Sequence, residues 1–475
     1  MSTRIQSQPL FGATKHLHMV GIGGIGMSGM AEILLLRGFK VSGSDGALSE
    51  TTERLEKLGA TIYKGHRAEN IEGADVVVYT SAVRAEDNVE TRAALEKKIP
   101  VIKRSEMLSE LMRMKYGIAI AGTHGKTTTT TMTGLVVQSG AFDPTIVVGG
   151  RVHSFDKTNA VVGKGDIFIV EADEYDRTFL KLSPSITVIT NIDIEHLDIY
   201  RDEDDIKEAF IEFANKIPFY GVAIVCLDDS NVRSIIPRIK KRILTYGLTP
   251  QATLRATKIE SSAMMTSFTA VFGNNVLGSV TLNAPGEHNV KNALAAIGVG
   301  LELGMDFEHI RQGIARFSGV FRRFQIKYES PDLMVVDDYA HHPTEVKATL
   351  QAARKGWPDR RIVAVFQPHL YSRTQQLHEE FGMSFFDADL LVVTDVYPSR
   401  EQPIEGVNGN LIALDASSFG HKAVHYVQKT SDLSMRLKEI VLPGDIVITM
   451  GAGDIYKSGE EFITLMTGSS EWRSL

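Results

Sequence analysis

The sequence has 475 residues, a formal net charge of −7, 43% apolar and 23% charged residues, and one cysteine. That length exceeds one ordinary core and suggests roughly two to four domains of a globular protein. The acidic balance, with no run of Lys or Arg, weighs against a nucleic-acid partner. The single thiol, Cys226, excludes an internal disulfide and lies in an apolar run, as a core residue does. No apolar stretch reads as a signal peptide or a membrane span, so a cytoplasmic protein without membrane insertion is expected.

The first segment, residues 1–109, alternates strand patterns (Leu17–Val20, Lys40–Ser42, Asp75–Thr80, Val101–Lys103) with helical ones (Met27–Arg37, Glu50–Leu58, Val89–Lys97). Such alternation predicts a parallel sheet with crossover helices. Gly21-Ile22-Gly23-Gly24-Ile25-Gly26 follows the first strand and opens a helix, and Asp45 ends the second strand about twenty residues on. Spacing alone reads as a dinucleotide fingerprint with Asp45 on a ribose, and hence as an NAD-dependent oxidoreductase. The physics requires only a diphosphate on a helix N-terminus, which a UDP-sugar also supplies.

The second segment, residues 110–318, opens with the apolar strand Tyr116–Ile120. The loop Gly122-Thr123-His124-Gly125-Lys126-Thr127-Thr128 and a helix follow it. A tight glycine turn there turns backbone N–H groups toward a phosphate. Lys126 reaches the β/γ-phosphates and the Thr127 hydroxyl suits Mg²⁺. The pattern departs from a standard P-loop, which has Gly where Ile120 stands, and a chance Gly-Lys-Thr is the bland alternative. Two acidic clusters follow strand patterns at Ile167–Val170 and Thr187–Thr190: Glu171-Ala172-Asp173-Glu174, and Asn191 to Asp198 with Glu195 and His196. At the ends of parallel strands such groups can ligate Mg²⁺, or can merely cap helices. Ser267–Phe272 and Val276–Leu282 flank Gly273-Asn274-Asn275 and predict a β-hairpin. Helical patterns follow at Asn289–Leu303 and Phe307–Phe317.

The third segment, residues 319–475, returns to alternation, with strands at Met334–Val336, Ile362–Phe366, Leu390–Thr394 and Ile446–Thr449. Asp337 to Pro343 and Gln367 to Arg373 each follow a strand and gather His, Tyr and Arg, a chemistry suited to a small anionic substrate. Arg322-Arg323 at the junction can reach phosphate or form a solvated basic spot. The expected fold is α/β in three domains. The first and last are Rossmann-like, and the central one is a P-loop-type ATPase domain with an extra β-hairpin.

Together these motifs resemble the Mur ligases, the ATP-dependent amino-acid ligases of peptidoglycan synthesis. The resemblance runs from about His16 to about Tyr456. It rests on His18 to Ala31, Gly122 to Thr128, Glu171 to Glu174, Gly286-Glu287-His288-Asn289-Val290-Lys291-Asn292 and Asp337 to Pro343. It implies a ligase joining L-alanine to UDP-N-acetylmuramate with ATP and Mg²⁺. The UDP moiety is then held at Gly21, Gly23, Gly24, Ile25 and Gly26, with Asp45, His66 and Ser81 as further contacts. ATP lies on residues 122–128, with His288, Asn289 and Asn292 at the adenine and Arg323 and Asp338 reaching in from the third domain. The metal is implied at Thr127, Glu171 and His196. The catalytic groups are Lys126, His196 and Arg323, and L-alanine meets Tyr339, His341 and Arg373. Leu370 stands where many relatives carry Arg, which throws more of the amino-acid contact onto Arg373. A sister ligase that recycles a tripeptide onto the same nucleotide sugar is the nearest alternative.

Overall fold

The computed structural model describes residues 11–80, 83–150, 152–155, 158–193, 199–399 and 401–468. The chain folds as two compact units, Met1–Arg255 with Leu294–Gly313, and Ala256–Ala293 with Ile314–Leu475.

The first unit begins with β1 (His16–Val20), α1 (Ile25–Leu36), β2 (Lys40–Asp45), α2 (Glu50–Lys57), β3 (Thr61–Lys64), β4 (Val76–Tyr79), α3 (Val89–Glu96), β5 (Val101–Lys103) and α4 (Arg104–Arg113). The strands form a sheet of order β3-β2-β1-β4-β5, parallel throughout. Every residue of β1 is buried, as expected for a central strand covered on both faces. Ser49 caps α2: its hydroxyl accepts from Thr52 N–H while the Thr52 hydroxyl receives Ser49 N–H. Strand order reverses at β1, so the crevice beyond its C-terminal end is where an open α/β sheet binds ligands. Gly21–Gly26 occupies that crevice edge.

A second sheet in the same unit follows. Its elements are β6 (Tyr116–Ala121), α5 (Lys126–Ser139), β7 (Thr145–Val147), β8 (Ala160–Val161), β9 (Ile167–Glu171), β10 (Ile186–Ile189), α6 (Glu203–Asn215), β11 (Val222–Cys226), α7 (Ser230–Ile235), β12 (Ile243–Gly247) and β13 (Leu254–Ser262). The order across this unit is β13-β12-β11-β10-β6-β9-β7-β8, and only β8 runs antiparallel. Here too the order reverses at the first strand, β6, which carries the phosphate loop at its end. Helix α5 holds five consecutive threonines, an unfavourable β-branched run. Burial of Thr128–Thr131 against the sheet offsets this, and the Thr130 and Thr131 hydroxyls donate to the carbonyls of Lys126 and Thr127 at 2.8 Å. One apolar cluster runs through both sheets, from Leu17 in β1 to Ile239. Cys226 is buried at the end of β11.

The second unit contains the expected hairpin, β14 (Met265–Phe272) and β15 (Asn275–Leu282), turning at Gly273, whose φ of 58° suits glycine. The chain passes between units within β13, α8 (Glu287–Glu302) and α9 (Phe307–Ala315). The remainder is β16 (Gln325–Glu329), β17 (Leu333–Asp338), α10 (Pro343–Gly356), β18 (Ile362–Phe366), α11 (Tyr371–Gly382), β19 (Leu390–Thr394), α12 (Asn410–Ser418), β20 (Val424–Val427), α13 (Leu433–Ile440), β21 (Asp445–Met450) and α14 (Ile455–Thr467). Its sheet order is β16-β17-β21-β18-β19-β20, with β16 the lone antiparallel strand. Buried side chains pack on both faces, Met334 and Phe366 on one and Val335 and Val365 on the other. Among the described residues no helix is long and apolar enough to cross a membrane.

Candidate active site

The glycine-rich loop after β1 is shaped by its neighbours. Gly21 N–H and Ile22 N–H both donate to the Ser44 carbonyl, and at φ 78° a Cβ on Gly21 would sit 2.9 Å from the Thr80 methyl. Asp45 is brought to the loop, where its Oδ2 accepts Gly23 N–H at 2.9 Å. Its carboxylate therefore holds the turn in place, a role that dinucleotide spacing alone does not convey. Helix α1 starts at this loop with no side-chain cap and no acidic residue in its first turn, which leaves its N–H groups for an anion. The Ile25 side chain and Ser81 lie outside the described residues.

His66 stands beside this loop on a buried polar network that no local sequence pattern marks. Its Nδ1 lies 2.9 Å from Ser44 Oγ and 3.2 Å from Glu90 Oε2. Glu90 is fully buried and also accepts from Asn70 Nδ2 at 2.6 Å and Ser44 Oγ at 2.5 Å, with His18 Nε2 3.7 Å away. Burial alone would raise the Glu90 carboxyl. The donors from Ser44 and Asn70 and the nearby His18 outweigh it and hold the group down to about 2.

In the phosphate loop, Gly122 (φ 132°) and Gly125 (φ 82°) take conformations closed to other residues without strain. Helix α5 begins at Lys126 behind Gly125, uncapped by any side chain. The Asn191 amide braces the loop from the next strand end, accepting His124 N–H at 2.8 Å and donating to its carbonyl at 3.0 Å. Thr123 Oγ1 receives Asp193 N–H at 2.8 Å, and Asp193 Oδ2 lies 3.3 Å from His124 Nε2. Lys126 Nζ donates to the carbonyls of Gly122 and Thr123 and to both carboxylate oxygens of Glu174. Glu174 has no exposed surface, and burial pushes its carboxyl up to about 7 against the pull of Lys126. The Lys126 ammonium is held above its usual range by Glu174, Asp173 and Glu171, which together overcome its desolvation.

Two of the three expected metal ligands meet: the Thr127 hydroxyl stands beside the Glu171 carboxylate and opposes the rise that burial imposes on it, and Glu171 also accepts Gly149 N–H at 2.7 Å. A hydroxyl and a carboxylate side by side are the oxygen donors that Mg²⁺ takes, so these residues fit the ion. His196 lies outside the described residues. Lys216, at the end of α6, donates its Nζ to the Leu180 carbonyl.

The second unit carries the remaining candidates. Asn289 Nδ2 donates to Pro285 O at 2.8 Å, and Asn292 Nδ2 to Asn289 Oδ1 at 3.2 Å, which fixes both amides at the start of α8. Desolvation, Lys291 and Arg323 push the His288 imidazole down to about 4, so it is neutral at pH 7. Arg322 and Arg323 divide their roles. Arg322 is committed to the fold: Nε binds Asp337 at 2.9 Å, its two terminal nitrogens reach the carbonyls of Gly453 and Gly451, and its plane lies over Tyr339 and Tyr456. Only Arg323 keeps an outward role, with NH1 on Glu345 at 3.1 Å and its guanidinium 5.5 Å from the Tyr339 ring. Asp338 accepts Phe324 N–H and Ala340 N–H, each at 2.7 Å, and burial raises its carboxyl to about 6.

Tyr339 and His341 pack edge to face at 5.1 Å, His341 meets His369 at 6.1 Å, and His369 stacks on Tyr397 at 5.9 Å. His369 belongs to the strand-end cluster expected to suit a small anionic substrate, whereas Tyr397 had no assigned role from sequence although it too follows a strand, β19. His341 Nδ1 lies 2.8 Å from the Tyr339 carbonyl. A carbonyl only accepts, so Nδ1 carries the proton and Nε2 is the basic nitrogen. Arg373 lies in the first turn of α11, and Leu370 caps that helix at φ 72°.

Three successive stretches of the chain match models of one protein family. Residues 16–116 match the family described as Mur ligase family, catalytic domain; residues 120–300 match the Mur ligase middle domain; residues 322–453 match the Mur ligase, glutamate ligase domain. The chain is 55% identical over 462 residues to the UDP-N-acetylmuramate–L-alanine ligase of Salinibacter ruber, covering 97% of each, and 54% identical over 459 residues to that of Geotalea uraniireducens, covering 97% of this chain and 100% of the relative. Among solved structures it is similar to the UDP-N-acetylmuramate-alanine ligase of Thermotoga maritima, with a TM-score of 0.79 and 31% identity over 96% of this chain and 99% of the other. With two uncapped helix starts behind glycine-rich loops, an acidic cluster beside the loop lysine and homology along nearly its whole length, the chain belongs to the Mur ligase family.

Proposed function

We propose that this protein is the ATP-dependent ligase that joins L-alanine to the lactyl carboxylate of UDP-N-acetylmuramate, a cytoplasmic step of peptidoglycan synthesis. The observation that carries the reading is the phosphate loop: Lys126 at the start of α5, anchored by Glu174, with the Thr127–Glu171 pair one residue on. The relatives at 54–55% identity, named for this reaction, support the choice of substrates. They also favour it over the tripeptide-recycling ligase and the NAD-dependent oxidoreductase.

The lactyl carboxylate oxygen attacks the γ-phosphorus of ATP; a C(O)–O–P bond forms, the bond to the β-phosphate oxygen breaks and ADP leaves. The alanine nitrogen then attacks the acyl carbon, the amide forms and inorganic phosphate leaves with the carboxylate oxygen. Lys126 and the N–H groups of residues 123–127 stabilise charge on the transferring phosphoryl. Thr127 and Glu171 would hold Mg²⁺, with His196 as a third ligand, and the ion would supply neutralisation of phosphate charge. The attacking amine must shed a proton, and Nε2 of His341 is the basic nitrogen on the amino-acid side. Tyr339 and Arg373 orient L-alanine, and Arg373 pairs its carboxylate. The neutral His288, with Asn289 and Asn292, receives the adenine. Arg323 and Asp338 meet the phosphates.

The test is phosphate release from ATP and Mg²⁺ by purified protein with UDP-N-acetylmuramate, adding L-alanine, glycine, L-serine or a tripeptide in turn. Release that requires both the nucleotide sugar and L-alanine is expected. Release with a tripeptide and not with L-alanine would assign the recycling reaction instead.

A further inference from the structure

A cavity of about 190 Å³ opens in the first unit between the glycine-rich loop and the Thr127–Glu171 pair. Gly26, Arg104, Ser105, Glu171 and Phe179 are among its walls. Three independent features of its α4 wall call for an anion. Helix α4 starts behind Lys103 with no side-chain cap, so its first N–H groups have no intrahelical or side-chain acceptor. Ser105, 6% exposed, has a buried hydroxyl with no hydrogen-bond partner, a cost that a bound acceptor removes. Arg104 makes no hydrogen bond or ion pair among the described residues, yet it stands hard against the glycine-rich loop: a Cβ on Gly26 would lie 2.1 Å from its NH1. Gly26 is therefore glycine partly to admit this guanidinium.

We propose that Arg104 and Ser105 are the specificity-determining pair for the acid substrate, binding the carboxylate carried by the nucleotide sugar. The assignment rests on the ligase reading above. The uncapped start of α1 already serves the diphosphate, and Gly26 is one residue further into that helix. From there the cavity leads to Glu171, beside which the carboxylate must meet the γ-phosphate. A carboxylate facing Glu171 and Asp173 is repelled unless a cation sits with it, and Arg104 is the cation in that wall. A neutral N-acetylhexosamine nucleotide would leave Arg104 and Ser105 without a partner, which is how the site would discriminate.

The experiment is titration calorimetry of the full chain with UDP-N-acetylmuramate, UDP-N-acetylglucosamine (the same sugar without the lactyl acid) and UDP. Wild type, Arg104→Met, Arg104→Lys and Ser105→Ala are compared, each checked by thermal melting. Wild type should prefer the acid sugar about tenfold or more. Arg104→Met should lose about 10- to 100-fold on that ligand and under about threefold on the other two; Ser105→Ala should lose about fivefold, and Arg104→Lys should recover part of the loss. Equal loss on all three ligands would assign Arg104 to the diphosphate and overturn the proposal alone. No loss on any would make the pair structural, with the same result. Wild type binding none of the three would overturn the ligase reading itself, and the proposal with it.

Discussion

Lys126 and Glu174 form a buried pair in which Nζ lies 2.9 Å from Oε1 and 2.8 Å from Oε2. The ammonium proposed to serve ATP is thus already positioned by a carboxylate. Lys126→Ala is expected to lower turnover by at least about 10²–10³-fold. UDP-N-acetylmuramate affinity should change by less than about threefold, since the Gly21–Gly26 loop belongs to a different sheet and stays intact. Calorimetry with the nucleotide sugar beside a phosphate-release assay checks both arms; loss of both in a folded variant contradicts the assignment of the two loops.

Glu90 makes stability depend on acid. Its carboxyl is held at about 2, below its ordinary 4.5. A depressed acid stabilises the fold above its unfolded pKa and loses that contribution as pH falls through the folded one. Between pH 4.5 and 2 the wild type should lose about 3 kcal/mol through this group. Glu90→Gln should be less stable at pH 7 and show a correspondingly flatter acid limb in denaturant melts. Parallel limbs for the two proteins would refute it.

Arg322 and Arg323 are adjacent but should fail differently. Arg322→Ala removes the partner of the buried Asp337 and two carbonyl contacts, and should destabilise the protein by about 3–5 kcal/mol. Arg323→Ala removes one ion pair, to the buried Glu345, and a 5.5 Å contact with the Tyr339 ring, so its melting temperature should fall less than that of Arg322→Ala while turnover collapses. Melting curves and initial rates on the two variants decide it.

His288 should stay neutral well into acid, since its imidazole is pushed down to about 4. Its ¹⁵N shifts should be those of a neutral ring at pH 5.5, and a protonated signature there would contradict the packing described. A histidine depressed in the fold costs stability as pH falls from 6.5 toward 4, because the unfolded chain takes the proton first.

Leu370 holds φ at 72°, anchored by its N–H on the Tyr397 carbonyl and by its own carbonyl, which receives Thr374 N–H and Oγ1–H. A β-branched residue there adds strain, so Leu370→Val should cost about 1–3 kcal/mol, while Leu370→Gly, free to adopt φ 72° with ψ 133°, should be tolerated better. Denaturant midpoints of the two variants test the ranking.

What the sequence exposed and what it hid follow from range. The phosphate loop was legible because glycines, Lys126 and Thr127 are consecutive and their geometry is local. Central strands such as β1, β18 and β21 were legible as apolar runs because both faces are covered. The edge strands β3, β16 and β20 carry half-exposed residues such as Tyr63, Lys327 and His425, and present no such run. Helix α4 was hidden by its polar start, Arg104-Ser105-Glu106, and the expected boundary at residue 109 falls within it. Glu174 was visible as a member of an acidic cluster. Its pairing with Lys126, 48 residues away, depends on β9 lying beside β6, which no local pattern encodes. Arg322 and Arg323 are indistinguishable in sequence, and only the fold around Asp337, Gly451 and Gly453 separates them.

The Asn191 side chain grips both the N–H and the carbonyl of His124, at the crown of the phosphate loop. The loop is therefore splinted before any nucleotide arrives, and its conformational entropy is surrendered during folding rather than during binding. Nucleotide capture should then behave as docking onto a finished mould: fast association, little change in the loop's amide exchange on binding, and a modest heat-capacity change. Cutting the splint with Asn191→Ala would shift that ordering onto the binding step and slow association, even though Asn191 need never touch a phosphate.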